Sequence, residues 1–249
     1  MSTYFLHDYP FGPFKVFSPS HLAALAIIVI INMLLIVWLK RTNHRENERY
    51  IRYTLSAILI IQELSLNIWR IYTGHWELGS SLPLHLCGAA VILSAIMLVN
   101  KSFKLYEIVY FWGLGGAIQA LLTPDIGIYA FPHFRFFHFF VSHGSIVTAS
   151  IFMTFDMNYR PKVRSIPKVF LITNCYMVFI AVFNYFTNGN YLFICHKPET
   201  ASLLDLLGPW PWYILSLEVV GIVSFYIYYS PFAIKDYLVK SRARKSSEN

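Results

Sequence analysis

"YTLSAILIIQELSLNIWRIY", residues 53–72, decides the fold. A helix of this length rises far enough to cross the hydrocarbon core of a bilayer. Yet the run carries Glu63, Asn67 and Arg70. At i, i+4 and i+7 they share one helical face, and Ser56 extends the stripe. A carboxylate facing lipid costs several kcal/mol, so the stripe belongs against a bundle interior or a wet cavity. Arg70 is two turns from Glu63 and can pair with it only loosely. An interhelical Glu–Asn clamp accounts for the same residues about as well as a functional site does.

Outward from this segment the chain repeats the pattern. Of 249 residues, 56% are hydrophobic and 13% are charged. The mean hydropathy is +0.50. These values exclude an ordinary soluble domain and a disordered chain. Further apolar runs fall at roughly 21–39, 82–99, 105–122, 136–155, 169–186 and 211–230. Runs of this length in lipid are helices, because only a helix or a closed barrel satisfies its own backbone there. The expected fold is an all-α membrane protein, a bundle of seven transmembrane helices over 21–230. An N-terminal segment over 1–20 precedes it and a basic tail over 231–249 follows. Ser18-Pro19 fits an N-cap followed by proline at the first helical position. The N-terminus lacks a charged leader pattern, so no cleaved signal is expected.

The basic residues set the expected orientation. Sixteen of the 20 lysines and arginines fall in the connections near 40–52, 101–104 and 160–168 and in the tail. Only Lys15, Arg70, Arg135 and Lys197 fall on the other side. By the positive-inside rule the N-terminus is outside and the C-terminus cytoplasmic. The net charge of +7 then belongs to orientation and anionic headgroups, with no nucleic-acid partner. Histidine runs the other way. Eight of nine (all but His44) lie on the outer side or in the outer half of a span.

Three further stretches carry chemistry. "LPLHLCG", residues 82–88, places His85 and Cys87 at the mouth of the third span. Two positions apart on a regular helix, they would point to opposite sides. Packing is the plainer role for the cysteine. A disulfide with Cys195 is another, since both thiols fall on the oxidising side; Cys175 reads as packing. "FPHFRFFHFFVSHGSIV", residues 131–147, spreads His133, Arg135, His138 and His143 through six phenylalanines. His143 lies deepest, beside Gly144, and an imidazole there points to function as readily as to packing. The seventh span holds Glu218 near its middle. Between the sixth and seventh, "SLLDLLGPWPWY" reads as a short interfacial helix and a Pro/Trp anchor. "FWGLGG" permits close helix approach. There is no CxxC, HExxH, GxSxG or Walker A signature, and neither metal nor cofactor is expected.

"LPLHLCG", "FFHFFVSHG" and the span count resemble the YwaF-like family of bacterial integral membrane proteins. That family is distantly similar to a eukaryotic transmembrane protein that moves acyl chains onto lyso-ether phospholipids. The resemblance implies Cys87 as nucleophile and His143 as base, in a bacterial plasma membrane. The residues are compatible with that: a thiolate attacks an ester once an imidazole has taken its proton. A site at the outer face sees no acyl-CoA. The substrate is then a membrane phospholipid or lysophospholipid, and the activity a CoA-independent transacylase or a lipid hydrolase. His85, His138, Glu63, Asn67 and Arg70 would support that site or bind substrate. The alternative is a transporter or seven-helix sensor using Glu63, Asn67, Arg70 and Glu218 as a polar path. It lacks the repeats and broken helices common in transporters.

Overall fold

The computed structural model describes residues 3–41, 47–198 and 203–247; His44 and Glu199 lie outside them. The described residues are helical or irregular, with no strand. The long helices are α1 (Pro19–Arg41), α2 (Glu48–Tyr72), α3 (Leu86–Asn100), α4 (Phe103–Leu122), α5 (Phe134–Phe155), α6 (Ser165–Thr187) and α7 (Trp212–Ser247). Five of them, α1, α4, α5, α6 and α7, are long and apolar enough to cross a membrane. Helix α3 is apolar but shorter, and α2 carries its polar stripe.

Helix α2 is built inside out. Glu63, Gln62, Ser56 and Arg52 are buried, while Ile61, Leu64, Ile68 and Ile71 are exposed, Ile68 to 65%. A helix in water hides its apolar face. This one hides its polar face, which is stable only where the surroundings are themselves apolar. Helix α5 is the hub and packs against α1, α2, α3 and α4. Two-thirds of its apolar window is buried, against 17% for α6 and 6% for α7.

The chain starts and stops where local chemistry dictates. Ser18 accepts from the His21 amide at 3.4 Å at the head of α1. Ser102 accepts from the Leu105 amide at 3.3 Å at the head of α4. Lys101, at φ 56°, makes the left-handed turn between α3 and α4. Midway, α4 widens into a π-helical turn at Gly113–Ala117. Its glycines meet three different helices. A methyl at Gly113 would lie 2.6 Å from Ile146 of α5, and one at Gly116 3.1 Å from Cys87 Sγ at the head of α3. One at Gly115 would meet Tyr228 of α7.

Four boundaries differ from the sequence reading by four residues or more; α2 begins at Glu48 rather than near 53, and α6 at Ser165 rather than near 169. Residues 82–85 form a turn, and α3 begins only at Leu86. Helix α7 does not end near 230; it runs through Pro231 to Ser247.

One end of the bundle gathers the basic connections. Arg52 binds Glu48 at 2.5 Å, the Val99 carbonyl at 3.0 Å and the Leu98 carbonyl. Lys101 also reaches Glu48, at 2.8 Å. Glu107 accepts from Ser165 at 2.5 Å and from Lys168. Arg160 holds Asp236 with two bonds, at 2.9 and 2.5 Å. Burial opposes the charge on Glu48, but Lys101 and Arg52 outweigh it and hold its carboxyl below the usual range. Arg160 does the same for Asp236.

A candidate site at the histidine-rich end

At the opposite end the N-terminal segment folds over the bundle, and two histidines latch it. His21 accepts from the Phe17 amide at 2.9 Å and donates to the Leu121 carbonyl at 2.8 Å. His133 accepts from the Arg135 amide at 3.0 Å and donates to the Leu6 carbonyl at 2.9 Å. Both are fully buried. Each neutral ring spends its one donor and its one acceptor, so neither has capacity left for a ligand. Burial pushes His133 below its ordinary pKa, which favours this neutral state.

The deeper histidines differ. His143 Nδ1 lies 2.8 Å from the Phe139 carbonyl. A carbonyl only accepts, so Nδ1 carries the proton and Nε2 keeps its lone pair. Both ring nitrogens of His138 are shielded, with the Gln62 backbone of α2 next to the ring. His85 caps α3 in an extended conformation rather than lying in the helix. Its Nδ1 accepts from the Leu192 amide at 3.3 Å. The helical argument that set His85 and Cys87 on opposite sides therefore does not apply.

The 82–85 turn is held from several directions. Arg70 donates to Ser81 O at 3.0 Å, Tyr176 to Leu84 O at 2.8 Å and Tyr191 to Leu78 O at 2.8 Å. The Leu82 amide donates to the Tyr191 hydroxyl at 2.9 Å. Pro83 curls back over α3, so a methyl on Gly88 would sit 2.8 Å from the Pro83 Cα. That close approach is why "LPLHLCG" ends in glycine. Cys87 lies in the first turn of α3, where amide groups lack intrahelical acceptors, and no side chain caps them.

Cys87, Cys175 and Cys195 are all free thiols. The Cys87–Cys195 disulfide weighed from the sequence is not formed, and Cys175 points outward, exposed. Cys87 and His143 are not hydrogen-bonded, but the helix register sets them level. Gly113 touches Ile146. One turn further toward the histidine-rich end, α4 offers Gly116, which touches Cys87 Sγ, and α5 offers His143. Three residues are about 4.5 Å along α5, and the π-helical turn of α4 carries Gly116 in the same direction. Gly144 serves another contact, the close approach of Ile28 from α1.

The stripe on α2 is real and has company. Asn67 donates to the Glu63 carboxylate at 3.2 Å, and its own side-chain carbonyl accepts from the Trp76 indole N–H at 3.1 Å. Glu63, Arg70 and Arg135 all fall within charge range of one another, and His138 feels both arginines. Glu218 lies elsewhere. It accepts from Asn174 at 3.0 Å and so ties α6 to α7 rather than extending the α2 stripe. Arg135 had drawn no role from the sequence, nor had Tyr176 and Tyr191, whose partners lie about a hundred residues away. Among the described residues no three His, Cys, Asp or Glu side chains form a metal-ligand group.

Apolar helices, an inside-out α2 and charges gathered at the bundle ends define a multi-pass membrane protein. The model of the TMEM164 family matches residues 16–229, nearly the whole helical bundle, and the chain belongs to that family. No curated protein and no solved structure matches it.

Proposed function

We propose that this protein is a lipid acyltransferase working without CoA, or a lipid hydrolase, with Cys87 as nucleophile and His143 as base. The observation that carries the reading is the shared level of Cys87 and His143, with the imidazole's basic Nε2 unspent. His143 takes the Cys87 proton, and the thiolate attacks an ester carbonyl of a donor lipid. The carbon–oxygen bond breaks, the released lysolipid takes the proton back from His143, and the acyl chain stays as a thioester. A second lipid hydroxyl, or water, then attacks the thioester and restores the thiol. The uncapped amides of the first turn of α3 would steady the oxyanion.

The membrane arrangement belongs to the same proposal: all seven long helices cross, α2 by its apolar outer face and α3 with the turn before it. The histidine-rich end and the N-terminus face outside, and the basic end faces the cytoplasm. The YwaF-like likeness, and with it a bacterial plasma membrane, completes the reading.

Intact-protein mass spectrometry in nanodiscs of isotope-labelled phospholipid tests it. A hydroxylamine-labile acyl adduct is expected on the wild type and on neither Cys87→Ala nor His143→Ala. Lipid turnover that survives Cys87→Ala would overturn the nucleophile.

A further inference from the structure

We infer that Arg70 and Arg135 form a binding subsite for a phosphate ester, the headgroup phosphate of a membrane lipid. The inference deepens the acyl-transfer reading and rests on it for the lipid's role as substrate, though not for the binding itself. Arg70 closes the last turn of α2 and Arg135 opens the first turn of α5. Both therefore stand at the depth where a bilayer turns from hydrocarbon to headgroup.

Their donors are largely unspent. The Arg135 guanidinium makes no hydrogen bond to any described residue; it lies over the Tyr129 ring at 5.9 Å. Arg70 makes one, to Ser81 O. Glu63 sits within charge range of both, yet neither arginine reaches it as an ion pair, and its carboxylate is already bonded by Asn67. Two half-buried guanidinium groups with no carboxylate of the described residues hydrogen-bonded to either keep forked donors suited to phosphate oxygens.

His138 lies beside the same two arginines, its ring nitrogens shielded and the Gln62 backbone of α2 next to the ring. Arg70 also fixes Ser81, at the start of the turn leading to Cys87. A lipid held by its phosphate here would present its ester linkages toward the head of α3.

The test uses the full chain in detergent with three probes: a fluorescent lysophosphatidylcholine, the matching monoacylglycerol and inorganic phosphate. Lysophosphatidylcholine affinity is expected to fall at least about tenfold in Arg135→Gln and in Arg70→Gln, the loss of one charge-assisted contact. Monoacylglycerol should bind weakly and equally to all forms. Arg135→Lys keeps the charge but not the fork and should lose less. It also serves as the readout if Arg135→Gln does not fold. Inorganic phosphate that competes only in large excess identifies a lipid headgroup as the ligand; competition at equal concentration identifies free phosphate and overturns the lipid assignment. Unchanged lysophosphatidylcholine affinity in folded Arg135→Gln or Arg135→Lys overturns the subsite, as does monoacylglycerol binding as tightly as the phospholipid. Cys87→Ala should bind the lysophospholipid as the wild type does. A failure of acyl transfer chemistry therefore leaves these binding arms intact, and a failure of binding leaves the thioester experiment to stand alone.

Discussion

The two ends of the bundle handle charge in opposite ways. At the basic end three cations are matched by carboxylates: Arg52 with Glu48 and two carbonyls, Lys168 with Glu107, Arg160 with Asp236. At the histidine-rich end the Arg135 side chain has no hydrogen-bonding partner among the described residues, and there Glu63 is bonded only by an amide. Both ends contain latched groups, since His21 and His133 are as fully satisfied as Arg52. The difference lies one layer deeper. Satisfied polar groups hold helices together, and unsatisfied ones mark where something else binds or reacts.

The largest effect should come from exchanging the roles of two arginines. Arg52→Met leaves Glu48 to Lys101 alone, strands two helix-end carbonyls and should cost about 3 kcal/mol. Arg135→Met removes a guanidinium with no hydrogen bond to lose and should be neutral or stabilising. Unfolding midpoints in detergent check this, and equal losses would break the contrast. Next, His21→Ala should cost about 2 kcal/mol, for two buried hydrogen bonds and the packing of its ring. His138→Phe should leave the midpoint within about 0.5 kcal/mol, the range of a change away from any such feature. A smaller loss, about 1–2 kcal/mol, is expected of Gly88→Ala, because its methyl meets Pro83 backbone that is not free to yield. The measurement that sharpens this one is Cys87 alkylation, which should change in rate as the turn is displaced.

Acid should weaken the basic end by the least. The carboxyls of Glu48 and Asp236 are held below their ordinary values. Their contribution is therefore complete above the usual carboxylate range and is lost as pH falls through the lowered values. The midpoint should drop on acidification from neutral, and less steeply in Glu48→Gln combined with Asp236→Asn.

Much of this was legible in the residues. The spacing of Glu63 and Asn67 forecast their shared face, although their bond lies within α2 and is not the interhelical clamp weighed from the sequence, and Ser18-Pro19 forecast the start of α1. The turn at 82–85 was hidden because Leu82, Pro83 and Leu84 are as apolar as a span, and hydropathy does not distinguish an apolar turn from an apolar helix. The reach of α7 was hidden by Pro231, which reads as a stop although the helix passes through it. Glu218 looked like a fourth member of the stripe because position along a helix says nothing about which neighbour it faces. Arg135 was hidden among phenylalanines. Its meaning depends on Arg70, which arrives from another helix.

The last helix is longer than its task as a span requires. Its 36 residues make a rod of about 54 Å, whereas a hydrocarbon core is about 30 Å thick. The surplus is a lever arm that carries the exposed Lys240 and Arg242. Arg160 grips the arm at Asp236, close to its fulcrum. Attraction to anionic headgroups fades over roughly 8 Å at physiological salt. An upright arm therefore carries most of its charge beyond the reach of the surface, and releasing the Arg160 grip would let it swing down onto the bilayer.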